Sequence, residues 1–164
     1  MRTLVIGLAL LATACDQQTP AEQEAERQAA VAEVEAHQTP PPEELTPDAI
    51  SFGMIEANDL FGAGCAFFPG GSSAEPIALM QSERGYMVRK GELLTFASDA
   101  GSRELPYAAH EKYSGRDYGM MVSIDETAGE QSGVETIRYP GTLTVRDGYD
   151  NIVFAAKGAV ECGA

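Results

Sequence analysis

The stretch GTLTVRDGYDNIVFAAKGAVEC, residues 141–162, contains the clearest β-hairpin of the chain. Apolar and polar residues alternate in its first half, with Leu143 and Val145 on one side and Thr142, Thr144 and Arg146 on the other. This two-residue period is typical of a strand with one buried and one exposed face. Residues 147–151 carry turn chemistry, and the returning strand begins at Ile152. The stretch therefore predicts an antiparallel sheet at this end of the chain.

The pattern extends upstream as short apolar or alternating runs separated by turn residues. It predicts nine short strands, at residues 65–68, 77–81, 86–89, 93–97, 119–124, 134–139, 142–146, 152–155 and 159–162. Four charged residues followed by glycine predict hairpin turns, at Arg84-Gly85, Lys90-Gly91, Asp147-Gly148 and Lys157-Gly158. Short strands at this spacing predict an all-β domain, a small antiparallel sandwich or barrel of eight to nine strands.

A short helix is predicted before the first strand. Residues 46–48, Thr-Pro-Asp, form a helix-start signature, and apolar residues follow at helical spacing, at Ile50, Met54, Ala57 and Phe61. Ile50, Phe52 and Met54 also alternate as in a strand. A helix is the prediction, with a strand as the alternative.

Two of the three cysteines stand at the ends of the predicted sheet. Cys65 opens the first strand and Cys162 closes the last, so we expect a disulfide between them outside the reducing cytosol. Closing a loop of this length stabilises a fold by about 4 to 5 kcal/mol in the loop-entropy account. The alternative is a reactive or metal-binding thiol pair, which lacks a CxxC spacing or a His partner.

The beginning of the chain is typical of a bacterial lipoprotein signal peptide. Arg2 precedes a short apolar run that ends in small residues before Cys15. The run is shorter than the roughly 20 apolar residues of a membrane-spanning helix. We therefore expect residues 1–14 to be removed and Cys15 to carry acyl chains that hold the protein to a membrane. An ordinary secretory signal cut near Ala12 or Ala14 is the alternative.

Residues 15–47 are predicted to form an acidic, flexible tether. Residues 20–37 are rich in Ala, Glu and Gln at helical spacing, but the alanine stripe buries little area. Three successive prolines, at positions 40–42, then favour an extended spacer. The β-domain is predicted to occupy residues 48–164.

Net charge limits the choice of partners. The chain carries 25 acidic and 11 basic residues, a formal net charge of −14, and the acids are spread over tether and domain alike. Such a chain is repelled by nucleic acid, so we expect no nucleic-acid partner and expect any charged partner to be a basic protein. The alternative is that the acidic residues only keep the protein soluble and do not select a partner. We expect no cofactor and no metal site, because the two histidines are His37, in the tether, and His110.

Residues 105–118 form the densest group of polar and aromatic side chains. They supply most of a candidate binding surface, which comprises Tyr107, His110, Tyr113, Ser114, Arg116, Tyr118 and, by the resemblance below, Lys157. The alternative is a loop and edge strand whose tyrosines cover the core. Ser114, His110 and Asp117 match a Ser/His/Asp set in composition, but their spacing shows neither a nucleophile elbow nor an oxyanion hole. We therefore expect no catalytic residues.

Several segments resemble those of small bacterial envelope lipoproteins of unknown function. They are the cysteine of the signal, the acidic spacer, DLFGAGCAFF, RGYMVRKGELLTF and TLTVRDGYDNIVFAAKGAVECGA. The chain is also similar to the membrane-bound inhibitors of c-type lysozyme, which are small β-barrel lipoproteins. Residues 114–118 match their Ser-Gly-x-x-Tyr segment, and residues 154–158 match Phe-Trp-x-Lys-Gly with Ala155 in place of Trp. That resemblance implies that Ser114 and Lys157 enter a lysozyme cleft.

These observations favour a lipid-anchored binding or inhibitor module on the periplasmic side of the bacterial envelope, and not an enzyme. A basic lysozyme-like enzyme is the most specific partner, because an acidic domain is steered towards a cationic target. Two alternatives remain open. One is a hydrolase that uses the His110 region, and the other is a structural or assembly lipoprotein that acts through its tether.

Overall fold

The computed structural model of the protein describes residues 19–38, 41–70 and 75–164. It divides the chain into two units, Met1–Pro40 and Pro41–Ala164. The predicted signal peptide and the predicted lipidation site at Cys15 lie outside the described residues.

The first unit contains helix α1 (Pro20–Gln38). Its start is capped reciprocally, since the Glu22 backbone N–H donates to Thr19 Oγ1 at 3.3 Å and the Thr19 N–H donates to Glu22 Oε2 at 2.7 Å. All of its described side chains are exposed, including Val31 and Val34. The helix is thus held by its own backbone and cap, as the alanine stripe indicates.

The second unit contains one short helix and nine strands among its described residues. They are α2 (Phe52–Ala57), β1 (Gly64–Pro69), β2 (Ala78–Gln81), β3 (Arg84–Arg89), β4 (Glu92–Ser98), β5 (Lys112–Ser114), β6 (Tyr118–Ile124), β7 (Glu130–Gln131), β8 (Ile137–Asp147) and β9 (Ile152–Gly163). Short 3₁₀ turns occupy Pro106–Ala108 and Glu126–Ala128. The short helix before the strands is confirmed, but its N-cap is Ser51 and not the predicted start at residues 46–48, where Asp48 instead forms a β-bridge with Val88.

The strands form a closed antiparallel barrel. Their order is β6-β5-β4-β3-β2-β1-β9-β8, and β6 pairs with β8 from Tyr118↔Asp147 to Ile124↔Gly141 to close it. β7 is an additional strand that pairs with the beginning of β8, beyond the end of β6. The prediction of an all-β domain is confirmed. Of the two predicted architectures, sandwich and barrel, the structure has the barrel.

One predicted turn is absent because its strand runs straight through it, and a second is shifted along the chain. Predicted strands 134–139 and 142–146 give the single strand β8, and predicted strands 152–155 and 159–162 give β9. Lys157-Gly158 therefore lies within β9. The hairpin predicted at Arg84-Gly85 is present but turns at residues 82–83, between β2 and β3. β5 and β7 are too short to produce an alternating pattern. Lys90-Gly91 is a tight turn as predicted, with both residues at positive φ.

Gly158 is required by close packing between strands. A Cβ built there would overlap the Phe68 carbonyl oxygen of β1, whereas a Cβ at Gly148, in the β8–β9 turn, meets nothing within 4 Å. We expect Gly158→Ala to lower the free energy of unfolding by about 1 to 3 kcal/mol and Gly148→Ala to change it little. Urea titration of both variants checks this, and equal effects would contradict the packing explanation.

The barrel interior is filled by apolar side chains, and no polar or charged residue is buried in the described part of the domain. The main cluster includes Phe67, Met80, Met87, Phe96, Tyr113, Met120, Val122, Leu143, Val145 and Val160. A smaller cluster lies outside the barrel, where α2 and its flanks cover one face. It contains Ile50, Leu60, Leu79, Tyr86 and Val88.

The ends of the barrel are packed by segments from outside the sheet. At the hairpin end, next to the β8–β9 turn, Leu45 is only 2% exposed and its N–H donates to the Val153 carbonyl at 2.9 Å. At the opposite end, called the disulfide end because it holds Cys65 and Cys162, Leu105 and Ala109 are buried. The compact unit therefore begins at Pro41 and not at the predicted boundary, Asp48.

The predicted disulfide is present between Cys65 and Cys162. The two residues are directly opposite each other on β1 and β9, and both are buried in the main core. The bond joins positions 97 residues apart in sequence. It links the first strand of the barrel to the last.

Candidate functional site

The residues predicted to form one binding surface lie in several separate places. Tyr107 and His110 belong to the segment that packs the disulfide end, where the Tyr107 hydroxyl donates to the Glu135 carbonyl at 2.5 Å. Tyr107 and Ala108 both have a positive φ of 59°. Such strain persists where surrounding contacts fix the chain, and here buried Leu105 and Ala109 fix it on either side.

Tyr113 lies inside the barrel. Its hydroxyl donates to the Gln81 carbonyl at 2.8 Å and accepts the His110 backbone N–H at 2.7 Å. Burial raises the pKa of Tyr113 to about 12, although the His110 N–H opposes the shift. Tyr113 is therefore a core residue, in agreement with the alternative that tyrosines of this segment cover the core.

This raised pKa predicts a loss of stability in alkali. The unfolded chain releases the Tyr113 proton near pH 10 and the folded chain only near pH 12, so the free energy of unfolding falls as the pH rises through this window. The slope approaches about 1.4 kcal/mol per pH unit. Urea titrations at pH 8 and pH 11 measure the loss. Tyr113→Phe, although less stable at pH 8, should lose less between the two pH values, and an equal loss would contradict this assignment.

Ser114 and Lys157 are exposed on the outer face of the barrel but at different levels. Ser114 is opposite Gly119, which pairs with Arg146 near the hairpin end. Lys157 is opposite Thr142, which pairs with Ser123 near the other end of β6. The structure therefore does not bring together the two residues that the lysozyme-inhibitor resemblance singles out.

Arg116 and Tyr118 lie near the hairpin end, away from Tyr107. Arg116 is almost fully exposed, with its Nε 4.0 Å from an Asp117 oxygen. The Tyr118 ring packs beneath the Arg89 guanidinium at 5.8 Å, and Arg89 also forms an ion pair with Glu43 at 2.7 Å. Tyr118 thus helps to hold the segment that contains Leu45.

The Ser114, His110 and Asp117 side chains are not joined by hydrogen bonds in the described structure. Ser114 lies on the outer face, while Nδ1 of His110 is buried without a hydrogen-bond partner in the part of the chain that the structure describes. A serine nucleophile needs a base within hydrogen-bond reach. The arrangement provides no such pair.

The candidate site is a shallow groove on the outer face of β5, β6 and β8. Its volume is about 370 Å³, and it is lined by Lys112, Tyr113, Ser114, Gly119, Met121, Thr144, Arg146, Asp147 and Asp150, together with Met120. Lys112, Met121 and Thr144 form one row across the three strands by register. Of the predicted surface, Ser114 and the backbone of Tyr113 contribute.

The outer-face groove is lined by two basic side chains, Lys112 and Arg146, and two acidic ones, Asp147 and Asp150. Arg146 donates to the Asp150 carbonyl at 2.6 Å and lies 3.5 Å from its carboxylate, whereas Lys112 forms no ion pair within the described residues. Asp147 accepts the backbone N–H groups of Tyr149 and Asn151 and so fixes the turn. Met121, 38% exposed, supplies an apolar floor. The groove has the size and mixed character of a contact surface for a protein side chain or a peptide.

Sequence reasoning missed the groove because barrel closure creates it. Lys112 and Met121 belong to the consecutive strands β5 and β6, but Arg146 belongs to β8, which is distant from them in sequence. The alternation in residues 119–124 and 142–146 does predict their outward direction. It does not predict that β6 pairs with β8.

Comparisons of the chain with protein-family models, with curated proteins and with solved structures give no significant match. Among the described residues, no helix has both the length and the apolar composition required to cross a membrane. Within residues 19–38, 41–70 and 75–164, no three His, Cys, Asp or Glu side chains are grouped so that they could hold a metal ion.

Proposed function

We propose that the protein is a non-catalytic binding module of the bacterial envelope, anchored by lipid at Cys15 and facing the periplasm. The observation that carries the proposal is the filled barrel: its interior positions are occupied by apolar side chains, and segments around Leu45 and Leu105 pack its ends. Barrels that carry small ligands hold them in an interior cavity. In this protein, a partner therefore binds the outer surface of the barrel.

The outer-face groove is the part of that surface best formed for recognition. It combines an exposed methionine, an ammonium without an ion-pair partner among the described residues, and threonine and serine hydroxyls on rigid strands. Sites built on strands hold their side chains more firmly than sites built on loops. A protein partner is favoured over a small molecule because the groove is shallow and open.

Capture from envelope extract tests this function. The bait is the chain from residue 15 onward with Cys15→Ser, which removes the predicted acylation site. A groove variant, Met121→Glu with Thr144→Glu, is matched by the control Val134→Glu, because Val134 is 94% exposed and does not line the groove. We expect an identified protein to bind the unchanged bait and the control but not the groove variant.

The inhibitor form of the proposal has its own assay. The same soluble chain is added to c-type lysozyme at low salt, where electrostatic attraction is strongest. Absence of inhibition would remove the inhibitor form and leave the binding module. Absence of any captured protein, together with an ester or glycan turnover that His110→Ala abolishes, would replace the binding module with the hydrolase alternative.

A further inference from the structure

An exposed aromatic pair lies on the segment that carries α2. Phe52 is 67% exposed and Phe61 is 55% exposed, yet their rings contact each other edge to face with centroids 6.0 Å apart. This geometry is favourable for aromatic rings and makes the two side chains one apolar feature. Exposed paired aromatics of this kind are typical anchors of protein interfaces.

The backbone beneath the pair is fixed at both ends. Ile50 and Leu60 are buried in the outer cluster, the Ile50 N–H donates to the Pro76 carbonyl at 2.7 Å, and the Leu60 carbonyl accepts Gln81 Nε2 at 2.9 Å. Within the segment, the Leu60 N–H donates to the Ile55 carbonyl at 3.0 Å. The aromatic pair is therefore preorganised, which lowers the entropy cost of binding.

The surroundings of the pair are acidic. Glu56 follows Phe52 by one helical turn on the same face of α2, and Asp59 follows the helix. Neither carboxylate forms an ion pair in the described structure, and the sequence contains no Lys or Arg between Arg27 and Arg84. We define the acidic aromatic patch as Phe52, Glu56, Asp59 and Phe61.

We propose that the acidic aromatic patch is a second interaction surface and that it binds a basic protein. Arg and Lys side chains are attracted both to aromatic ring faces and to carboxylates, so one cationic side chain of the partner engages both parts of the patch. The charge-balanced outer-face groove lacks this selectivity. The inference rests on the proposed function and adds to it the surface at which a basic partner binds.

A membrane surface is the competing occupant for exposed phenylalanines on a tethered domain. Anionic headgroups attract Lys and Arg and repel carboxylates. With Glu56 one helical turn after Phe52 and Asp59 two residues before Phe61, the charges oppose such contact. A basic protein is the occupant that suits the rings and the carboxylates together.

Photo-crosslinking in cells tests the inference on the full chain. A photoreactive phenylalanine replaces Phe61, or in a matched strain Met121 of the groove, and adducts are identified by mass spectrometry. We expect Phe61 to give an adduct with a protein of basic isoelectric point. Glu56→Lys with Asp59→Lys should abolish that adduct, and Glu92→Lys, on β4, should leave it unchanged.

Affinity for the purified protein that crosslinks to position 61 completes the test. Phe52→Ser with Phe61→Ser should weaken binding by about thirtyfold or more, the loss expected of an interface anchor, without changing the urea midpoint. An adduct with lipid or with an acidic protein would overturn the inference. An adduct from Met121 but none from Phe61 would overturn it and leave the proposed function standing, and no adduct from either position would overturn both.

Discussion

Replacement of both Cys65 and Cys162 with alanine lowers the free energy of unfolding by about 4 to 5 kcal/mol in the loop-entropy account. The bond joins residues 97 apart, so it removes many open conformations from the unfolded chain. Because a domain of this size is stabilised by only about 5 to 15 kcal/mol, the loss is a large share of the total. Urea titration of the soluble chain with and without the substitutions measures it.

Cys15 provides the matched control. It lies outside Pro41–Ala164, so the soluble chain should unfold at the same urea concentration with Cys or with Ser at position 15. Reduction of the unchanged protein should reproduce the effect of the double substitution once the domain is opened by denaturant, because both cysteines are buried. A double variant as stable as the parent would contradict the structural role assigned to the bond.

Removal of the Leu45 side chain is the second large effect. Leu45 is 2% exposed and belongs to the main core, so Leu45→Ala should cost about 2 to 5 kcal/mol through lost burial and a cavity. A fragment that begins at Asp48 lacks the same side chain and the Leu45–Val153 hydrogen bond. It should be destabilised at least as much as Leu45→Ala relative to a fragment that begins at Pro41.

Two controls separate packing from other effects of substitution in this segment. Leu45→Met nearly conserves volume and should cost less than about 1.5 kcal/mol. Glu44→Ala changes the neighbouring exposed residue and should change stability little. If the fragments that begin at Pro41 and Asp48 unfold at the same urea concentration, the segment does not contribute to the barrel.

Local sequence patterns predict the presence of the strands well. They predict less well where each strand begins and ends. Alternation at Leu143 and Val145 and the turn at Asp147-Gly148 are local signals, and the structure has the hairpin there. Lys157-Gly158 carries the same dipeptide signal but lies within β9, because Gly158 meets the backbone of β1, a partner distant in sequence. Leu45 falls within the predicted tether, and only the closed barrel shows that it is buried.

The candidate surface is less predictable than the fold. Residues 105–118 are close in sequence, but they pass from the disulfide end through the interior, at Tyr113, to the hairpin end, at Tyr118. A segment rich in polar and aromatic residues therefore does not form a single surface when part of it is a strand, because successive residues of a strand face opposite sides. The sequence places Phe61 at helical spacing and Phe52 in the alternative strand, and both are exposed because Ile50 and Leu60 take the buried positions beside them.

The most direct test of the proposed surface recognition is photo-crosslinking in living cells from Met121 in the full chain, with Val134 as the control position. Both side chains are exposed, but only Met121 lines the outer-face groove. The account predicts a discrete adduct with one envelope protein from Met121 and none from Val134. Absence of an adduct from Met121, or equal adducts from both positions, would contradict it.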